Sequence, residues 1–198
     1  MKNKLYLFLS AVVVMVLLSC SQKADWEGMP APNVPEQNTT DLPAPFRHED
    51  YTIKPLANYT ITAIVFSTER YSFDKGAVLS PLDLLLGWKR MSAADVINQF
   101  EFSQSGRRGR VTTKGEHYPI PKKEVDKSIA NTHCVPASNA IKKKLLKLKK
   151  YDLITMKGYL VEIRGKNFVW RSSLTRDDVG GGACEVLWVT DVSKMAKI

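Results

Sequence analysis

Histidine and cysteine are scarce in this chain, with three of each among 198 residues. The histidines at positions 48, 117 and 133 form no i, i+4 pair, and only His133 has a neighbouring cysteine, Cys134. Zinc sites need clustered histidine and cysteine ligands at short spacings. The three consecutive glycines at 180–182 are not followed by the lysine and helix of a phosphate-binding loop. The sequence therefore predicts no metal site and no cofactor.

Acidic residues are outnumbered, and the imbalance is local. Lysine and arginine total 29 against 20 aspartates and glutamates, for a net charge of +9. Positions 107–150 alone carry 13 basic and 3 acidic residues. Such a block predicts an acidic partner. No aromatic residues interleave the lysines, as stacking on nucleic acid requires, so nucleic acid is a poor candidate.

The chain begins with two lysines and an uncharged apolar run, LYLFLSAVVVMVLLS. This order is typical of a secretory signal peptide, predicted over residues 1–19, and the run is too short for a spanning helix. It ends in Leu17-Leu18-Ser19-Cys20, which resembles the lipobox of bacterial lipoproteins. The resemblance implies acylation of Cys20, and Ser21 in place of aspartate implies transport to the outer membrane, facing the periplasm. An uncleaved anchor and plain secretion are the alternatives.

Proline is concentrated directly after the lipobox. Five of the ten prolines lie between residues 21 and 50. Proline removes amide donors and favours extended backbone, so residues 20–50 are predicted to be a flexible tether carrying the lipidated cysteine. Thirty fully extended residues would reach about 90 Å from the bilayer.

Residues 51–198 suffice for one domain, with neither an internal repeat nor a second linker. Alternating apolar side chains in TITAIVF predict a strand over 59–66. Ser80-Pro81 predicts the start of a helix over 81–88, and Gly158 interrupts a long strand pattern. The expected fold is α+β: a single antiparallel β-rich domain with a few short helices and a small OB-like or SH3-like barrel as candidate core. Further elements are expected as a helix at 92–99, a strand at 100–104, a helix at 139–150, and strands at 152–163, 168–174 and 183–192.

The segment IKKKLLKLKK, residues 141–150, predicts an amphipathic helix capped by Ser138 or Asn139. Its lysines and the basic turn SGRRGR are candidate contacts for an acidic partner in the envelope: a lipid head group, an anionic glycan or an acidic protein face. An ordinary solvated face is the alternative. The residues predicted to contact this partner are Arg107, Arg108, Arg110, Lys143, Lys147 and Lys150.

Cys134 and Cys184 are a candidate disulfide, because exported proteins meet an oxidising compartment. Closing a loop of about fifty residues would contribute about 4 kcal/mol on the loop-entropy model. The alternative is two separate thiols that pack as small hydrophobic groups.

The segment WRSSLTRDDVGGGACE is the one polar region that suggests catalysis. Asp177 or Asp178 could form an acid/base pair with His133, and Ser172 or Ser173 could be a nucleophile. Adjacent aspartates on an extended chain point to opposite faces, so the simpler interpretation is a glycine-rich turn capped by aspartate.

Several blocks together resemble a family of uncharacterised bacterial envelope proteins and lipoproteins. They are SPLDLLLGW, NTHCVPASNAIKKKLLKLKKYDLITMKGYLVEI and WRSSLTRDDVGGGACEVLWV. The family pattern has an H-x-x-P-A loop, a basic helix, a GYLV strand and an SSLxRxDxGxGACE segment. Tyr151 replaces a glycine of that pattern, and Cys134 stands where an aliphatic residue is expected. The resemblance implies one intact domain over most of 59–190 and no mechanism.

The sequence thus predicts a membrane-anchored lipoprotein that presents a non-catalytic binding or structural domain in the cell envelope, to an anionic or a protein partner. The alternative is an envelope hydrolase that uses His133 with Asp177 or Asp178, or with Ser172 or Ser173.

Overall fold

A computed structural model describes residues 23–73, 76–178 and 182–195. The predicted signal peptide, Cys20 and residues 180–181 of the glycine turn lie outside the described residues. The strands are β1 (Glu36–Asn38), β2 (Phe46–His48), β3 (Tyr51–Arg70), β4 (Leu82–Gly87), β5 (Phe100–Ser105), β6 (Arg108–Thr113), β7 (Ile129–Pro136), β8 (Leu153–Gly165), β9 (Phe168–Arg171) and β10 (Glu185–Lys194). The α-helices are α1 (Ala94–Ile97), α2 (Lys122–Asp126) and α3 (Asn139–Leu145), and a 3₁₀ turn spans Lys89–Ser92.

Five strands pair in a circuit that runs β3, β4, β7, β10, β8 and returns to β3. The β7–β10 pair is parallel and the other pairs of the circuit are antiparallel. Strands β1 and β2 add to β3, β9 adds to β8, and β5 and β6 form a separate hairpin. The chain is therefore a single β-rich domain with a near-ring mixed sheet and few short helices.

The longest strand, β3, contains the strand predicted at 59–66, which confirms that prediction. Its burial alternates at first and becomes continuous over Ile64, Val65 and Phe66. β8 pairs with β3 from Thr52 opposite Arg164 to Ile64 opposite Leu153. A strand that is buried on both faces must be covered on both sides, and the ring and the β5–β6 hairpin provide that cover.

Gly158 marks a close approach between β8 and β10. A Cβ atom at this position would lie 1.9 Å from the carbonyl oxygen of Trp188. The pairing register of β10 shifts just beyond, between Val189 and Asp191. The predicted irregularity is confirmed, and it arises because only glycine lets the two backbones come so near.

Residues 81–88 were predicted to begin a helix, and that prediction is wrong, because Leu82–Gly87 is β4. All six residues of β4 are buried between β3 and β7. A short run that is apolar on both faces has no polar side to give a helix, and it suits a central strand. Ser80 does not cap a helix; its hydroxyl donates to the carbonyl oxygen of Leu82.

The lysine-rich helix is confirmed, in shorter form, as α3. The hydroxyl of Ser138 accepts a hydrogen bond from the amide of Ile141 at 3.3 Å, which is the predicted cap. Ile141, Leu145 and Leu148 are buried. Regular helix ends at Leu145, and the remaining lysines follow in a turn.

Residues 23–50 pack on the domain, which corrects the prediction of a flexible tether. Ala24 and Ala31 are buried, and the indole nitrogen of Trp26 donates to the carbonyl oxygen of Ser92 at 2.9 Å. The amide of Ala31 donates to the hydroxyl of Ser92. A proline-rich backbone offers few amide donors, but the amides of Ala24 and Ala31 donate to side chains of the domain. In the part of the chain that the structure describes, no helix is both long and apolar enough to cross a bilayer.

Candidate functional site

Asp83 and His133 face each other across the β4–β7 pair. The register places them directly opposite, where side chains of antiparallel strands are in reach of each other. Oδ2 of Asp83 lies 2.9 Å from Nδ1 of His133, and their side chains are 0% and 4% exposed. Neither atom has a straight hydrogen bond, so the contact is a short, bent ion pair. A carboxylate in this position fixes the orientation of the imidazole ring.

The β5–β6 turn delivers Arg107 to the same aspartate. Gly106 and Arg107 both have positive φ, 56° and 64°, as a two-residue type I′ hairpin turn requires. The guanidinium lies 3.1 Å from Oδ1 of Asp83 and donates to the carbonyl oxygen of Ser80. It also stacks 3.9 Å from the centre of the Tyr71 ring. Arg107 is thus part of the buried cluster. The other two arginines predicted to contact an acidic partner, Arg108 and Arg110, are exposed on β6.

Cys184 completes the cluster just before β10. Cys184 lies close enough to His133 to raise the pKa of the imidazole, and the side-chain amide nitrogen of Asn131 donates to the Cys184 sulfur at 3.6 Å. Because Asn131 and His133 are two residues apart on β7, they lie on one face of the sheet. Cys184 is partly exposed, whereas Asp83 and His133 are buried. Asp83, His133 and Cys184 therefore follow one another from the interior toward the surface.

The electrostatics of the cluster favour a proton on His133. Burial would lower the pKa of His133, but the contacts with Asp83 and Cys184 outweigh burial and raise the pKa above its ordinary value. Nδ1 faces Asp83, so Nε2 is the ring nitrogen that remains for another partner. A ring held in this way can take the proton of Cys184, because the resulting imidazolium is stabilised by the buried carboxylate.

The two cysteines are both free thiols in the structure. Cys134 follows His133 on β7, so its side chain points to the opposite face of the sheet. It is fully buried within the larger apolar cluster, and its sulfur donates to the carbonyl oxygen of Thr132 at 3.7 Å. Burial raises the pKa of the Cys134 thiol well above its ordinary value, with the Asp83 charge adding to the effect. Cys134 therefore stays a neutral packing group.

The serines and aspartates considered as catalytic candidates form a network of hydrogen bonds and an ion pair near the Cys184 segment. The hydroxyl of Ser172 accepts from the amide of Val186 at 3.1 Å, and the amide of Ser173 donates to the carbonyl oxygen of Cys184 at 3.0 Å. The Ser173 hydroxyl donates to Asp178 at 2.6 Å. Asp177 forms an ion pair with Lys127. The polar partners described for His133 are Asp83 and Cys184, and none of these four residues is among them.

A buried ion pair anchors the residue that follows the thiol. Glu185 is 0% exposed and pairs with Arg176. Tyr59 lies close enough to be influenced by Arg176, although burial dominates and raises the pKa of Tyr59 to about 12. Removal of either partner would leave an uncompensated buried charge, which strongly destabilises a fold. Glu185 and Arg176 thereby tie the segment after β9 to the start of β10 and fix the backbone that carries Cys184.

An open cleft of about 410 Å³ adjoins the cluster. It is lined by Tyr71, Gly76, Gly106, Arg107, Phe168, Val169 and Trp170. The Trp170 ring lies 4.6 Å from the ring of His133, centre to centre. Burial and the Asp83 charge raise the pKa of Tyr71 to about 12, so its phenol stays neutral. The cleft thus offers a largely aromatic wall, with Arg107 among its lining residues, next to the imidazole.

The lysines predicted to contact an acidic partner are exposed and lie apart from this cluster. Lys143 is on α3, and Lys147 and Lys150 are in the turn that follows. Lys144, between them, pairs with Asp191 at 3.6 Å. Within the described residues no group of three or more histidine, cysteine or carboxylate side chains is arranged to hold a metal ion.

Sequence reasoning identified His133 and missed its partners. Asp83 was assigned to a helix, although a single carboxylate within the apolar run LDLLLG signals a buried polar site in a strand. Cys184 was considered only as half of a disulfide. Comparison with protein-family models, with curated proteins and with solved structures found no match to this chain.

Proposed function

We propose that this protein is a thiol-dependent acyl-transfer enzyme, a hydrolase or a transferase, in which Cys184 is the nucleophile. His133 is the general base, and Asp83 orients the imidazole and stabilises its protonated form. The observation that supports this proposal is the order Asp83, His133, Cys184: a fully buried carboxylate contacts the imidazole, and a partly exposed thiol lies close enough to raise the pKa of the imidazole. Cysteine is activated for acyl transfer when a base lies next to it in space and a carboxylate orients that base.

The chemistry follows from these positions. Nε2 of His133 takes the thiol proton as the sulfur of Cys184 attacks an acyl carbon. The tetrahedral adduct expels its alcohol, amine or thiol, which leaves with the proton from His133. Water or an acceptor amine then attacks the thioester on Cys184, and His133 accepts its proton and returns it to the sulfur. Asp83 keeps its negative charge throughout and stabilises the imidazolium.

The cleft indicates the kind of group beside the scissile bond. Phe168, Val169 and Trp170 supply apolar surface, and Val169 is 60% exposed. An apolar acyl chain or a ring stacked on Trp170 would bury this surface and gain hydrophobic free energy. The proposed substrate is therefore an ester, thioester or amide with an apolar or ring-shaped group next to its carbonyl.

We also propose the finer architecture and location. The circuit of five strands supports a small OB-like or SH3-like barrel, because β3 pairs with both β4 and β8. The lipobox supports acylation of Cys20 and residence at the outer membrane on the periplasmic side. The motifs shared with the envelope family include the segments around Asp83, His133 and Cys184.

The test uses p-nitrophenyl esters with acyl chains of two to eight carbons and the matching thioesters. The wild-type protein is expected to hydrolyse them and to form a thioester on Cys184 that intact-mass and peptide mapping detect. Cys184→Ala should abolish turnover and labelling. His133→Ala should lower the rate about 10²- to 10⁴-fold, the usual contribution of a general base.

Cys134→Ala is the matched control, because Cys134 is adjacent to His133 but lies on the other face of the sheet. It should retain turnover. Wild-type rates in folded Cys184→Ala, or acyl label on Cys134 alone, would refute the proposal.

A non-catalytic module is the second candidate, and the exposed basic side chains favour it. Arg108, Arg110, Lys143, Lys147 and Lys150 are exposed and could contact an acidic envelope component or a protein partner. Under this hypothesis the Asp83 cluster is structural, no ester or thioester is turned over, and Cys184→Ala leaves function intact in a cell-based complementation assay.

A further inference from the structure

Four exposed lysines form a continuous stretch at the end of α3, here called the lysine segment: Lys143, Lys147, Lys149 and Lys150. Lys143 and Lys147 are one helical turn apart. No ion pair neutralises any of the four among the residues described, in contrast to Lys144, which pairs with Asp191. The buried stripe of α3 fixes the backbone beneath, so the segment is a fixed cluster of positive charge.

The N-terminal end of the described chain meets the domain at this segment. Trp26 packs edge-on against Tyr151, with ring centres 5.8 Å apart. The ammonium group of Lys150 lies 4.8 Å from the centre of the same Tyr151 ring. Trp26 is held there by its hydrogen bond to Ser92. Trp26 and Lys150 therefore lie on one aromatic side chain, although they are distant in sequence.

The length of chain before Trp26 limits where an anchor can lie. Cys20 precedes Trp26 by six residues, which span at most about 20 Å even when fully extended. A lipid on Cys20 would hold the bilayer surface within that distance of Trp26. Lys150, the last residue of the lysine segment, lies on the Tyr151 ring that Trp26 packs against, so the segment would come near the same surface.

We propose that the lysine segment lies against the anionic lipid head groups of the membrane that holds Cys20. This inference rests on the proposed acylation of Cys20 and not on the proposed enzyme. A cluster of lysines beside an acyl anchor is attracted to a negatively charged leaflet, and an acyl chain and a basic cluster together give firmer binding than either alone. The membrane would thus set the orientation of the domain as well as its location.

The experiment measures lysine accessibility on the full-length acylated protein in vesicles. The protein is reconstituted into phosphatidylglycerol vesicles or neutral phosphatidylcholine vesicles and pulsed with a water-soluble acetylating reagent. Peptide mass spectrometry then gives a rate for each lysine. Lys166 is the internal control, because the β8–β9 turn adjoins Tyr51, at the opposite end of β3 from Tyr151.

Acetylation of Lys147, Lys149 and Lys150 should be at least threefold slower on the anionic vesicles, and 0.5 M salt should remove the difference by screening. Lys166 should react equally on both. The triple variant Lys143→Glu, Lys147→Glu, Lys150→Glu should lose the protection of Lys149. A control with the same charge change elsewhere, Lys54→Glu, Lys123→Glu, Lys166→Glu, should keep it.

Equal rates on the two vesicle types would overturn the proposal, and so would protection of Lys166 to the same degree as the lysine segment. Intact mass showing an unmodified Cys20 would overturn it together with the proposed anchoring. Hydrolysis of the ester panel tests the enzyme separately, so the two proposals fail independently.

Discussion

Replacing Asp83 with asparagine tests the centre of the candidate site. The substitution keeps the shape of the side chain and removes a charge that is 0% exposed. Two side chains then lose their contact with this carboxylate: Arg107, whose side chain is 17% exposed, and His133, 4% exposed. Removing one member of a buried ion pair typically costs about 3–5 kcal/mol. For a chain of this size each kcal/mol lowers Tm by about 2–4 °C, so Asp83→Asn should lower Tm by about 6–20 °C.

The same substitution should also change how the free energy of unfolding depends on pH. The folded-state pKa of His133 is raised above its value in the unfolded chain, which is about 6.5. The corresponding stability is fully present below that unfolded value and is lost as pH rises through the raised folded value. In Asp83→Asn the main stabilising contact is gone, so this decline in stability with rising pH should disappear.

The assay is urea denaturation at closely spaced pH values from 5.5 to 9, combined with thermal scans at pH 7. Asp126→Asn is the matched control, because Asp126 pairs with the exposed Lys122 one helical turn away at 2.6 Å. Surface pairs of this kind contribute little, so the control should move Tm by less than about 2 °C and keep the wild-type pH dependence. An Asp83→Asn protein with wild-type Tm and wild-type pH dependence would show that the cluster is not an ion-paired unit.

Two further substitutions test the scaffold. Gly158→Ala would place a Cβ 1.9 Å from the carbonyl oxygen of Trp188, so it should destabilise the domain by about 3 kcal/mol or more, measured by urea denaturation; a neutral effect would contradict the close approach of β8 and β10. Trp26→Ala removes the hydrogen bond to Ser92 and the contact with Tyr151, and should cost about 2 kcal/mol. Limited proteolysis of this variant should cut first between residues 23 and 35, and unchanged resistance there would argue that Trp26 does not hold the segment.

The elements that the sequence predicted correctly have a clear local signal. The alternating apolar side chains in 59–66 indicate which face of the strand is buried. The Ile/Leu stripe does the same for α3. β4 was mistaken because a proline after a serine resembles a helix start, and because a run that is apolar throughout has no period to separate helix from strand. This segment is a strand because it is buried between β3 and β7, and a short stretch of sequence does not show which strands will lie beside it.

The candidate site was predictable only in part for the same reason. His133 stood out as a lone histidine in a polar loop pattern. Its pairing with Asp83 depends on the register of β4 with β7, and its contact with Cys184 depends on where β10 inserts. The segment 20–50 was judged by its prolines, whereas a few apolar side chains within residues 23–50, Ala24 and Ala31 among them, are buried against the domain.

The place of β10 in the sheet affects the stage of folding at which the candidate site forms. β10 is the last strand in sequence, yet it lies in the ring between β7 and β8, and Cys184 immediately precedes it. Strands that close a ring over such long sequence separations form late, because loop closure must precede their contacts. Until the final strand is inserted, Cys184 and His133 are not neighbours. Under the proposed function, a chain that crosses a membrane unfolded would not yet have the thiol beside its base, and reactivity would appear only when the whole domain is complete.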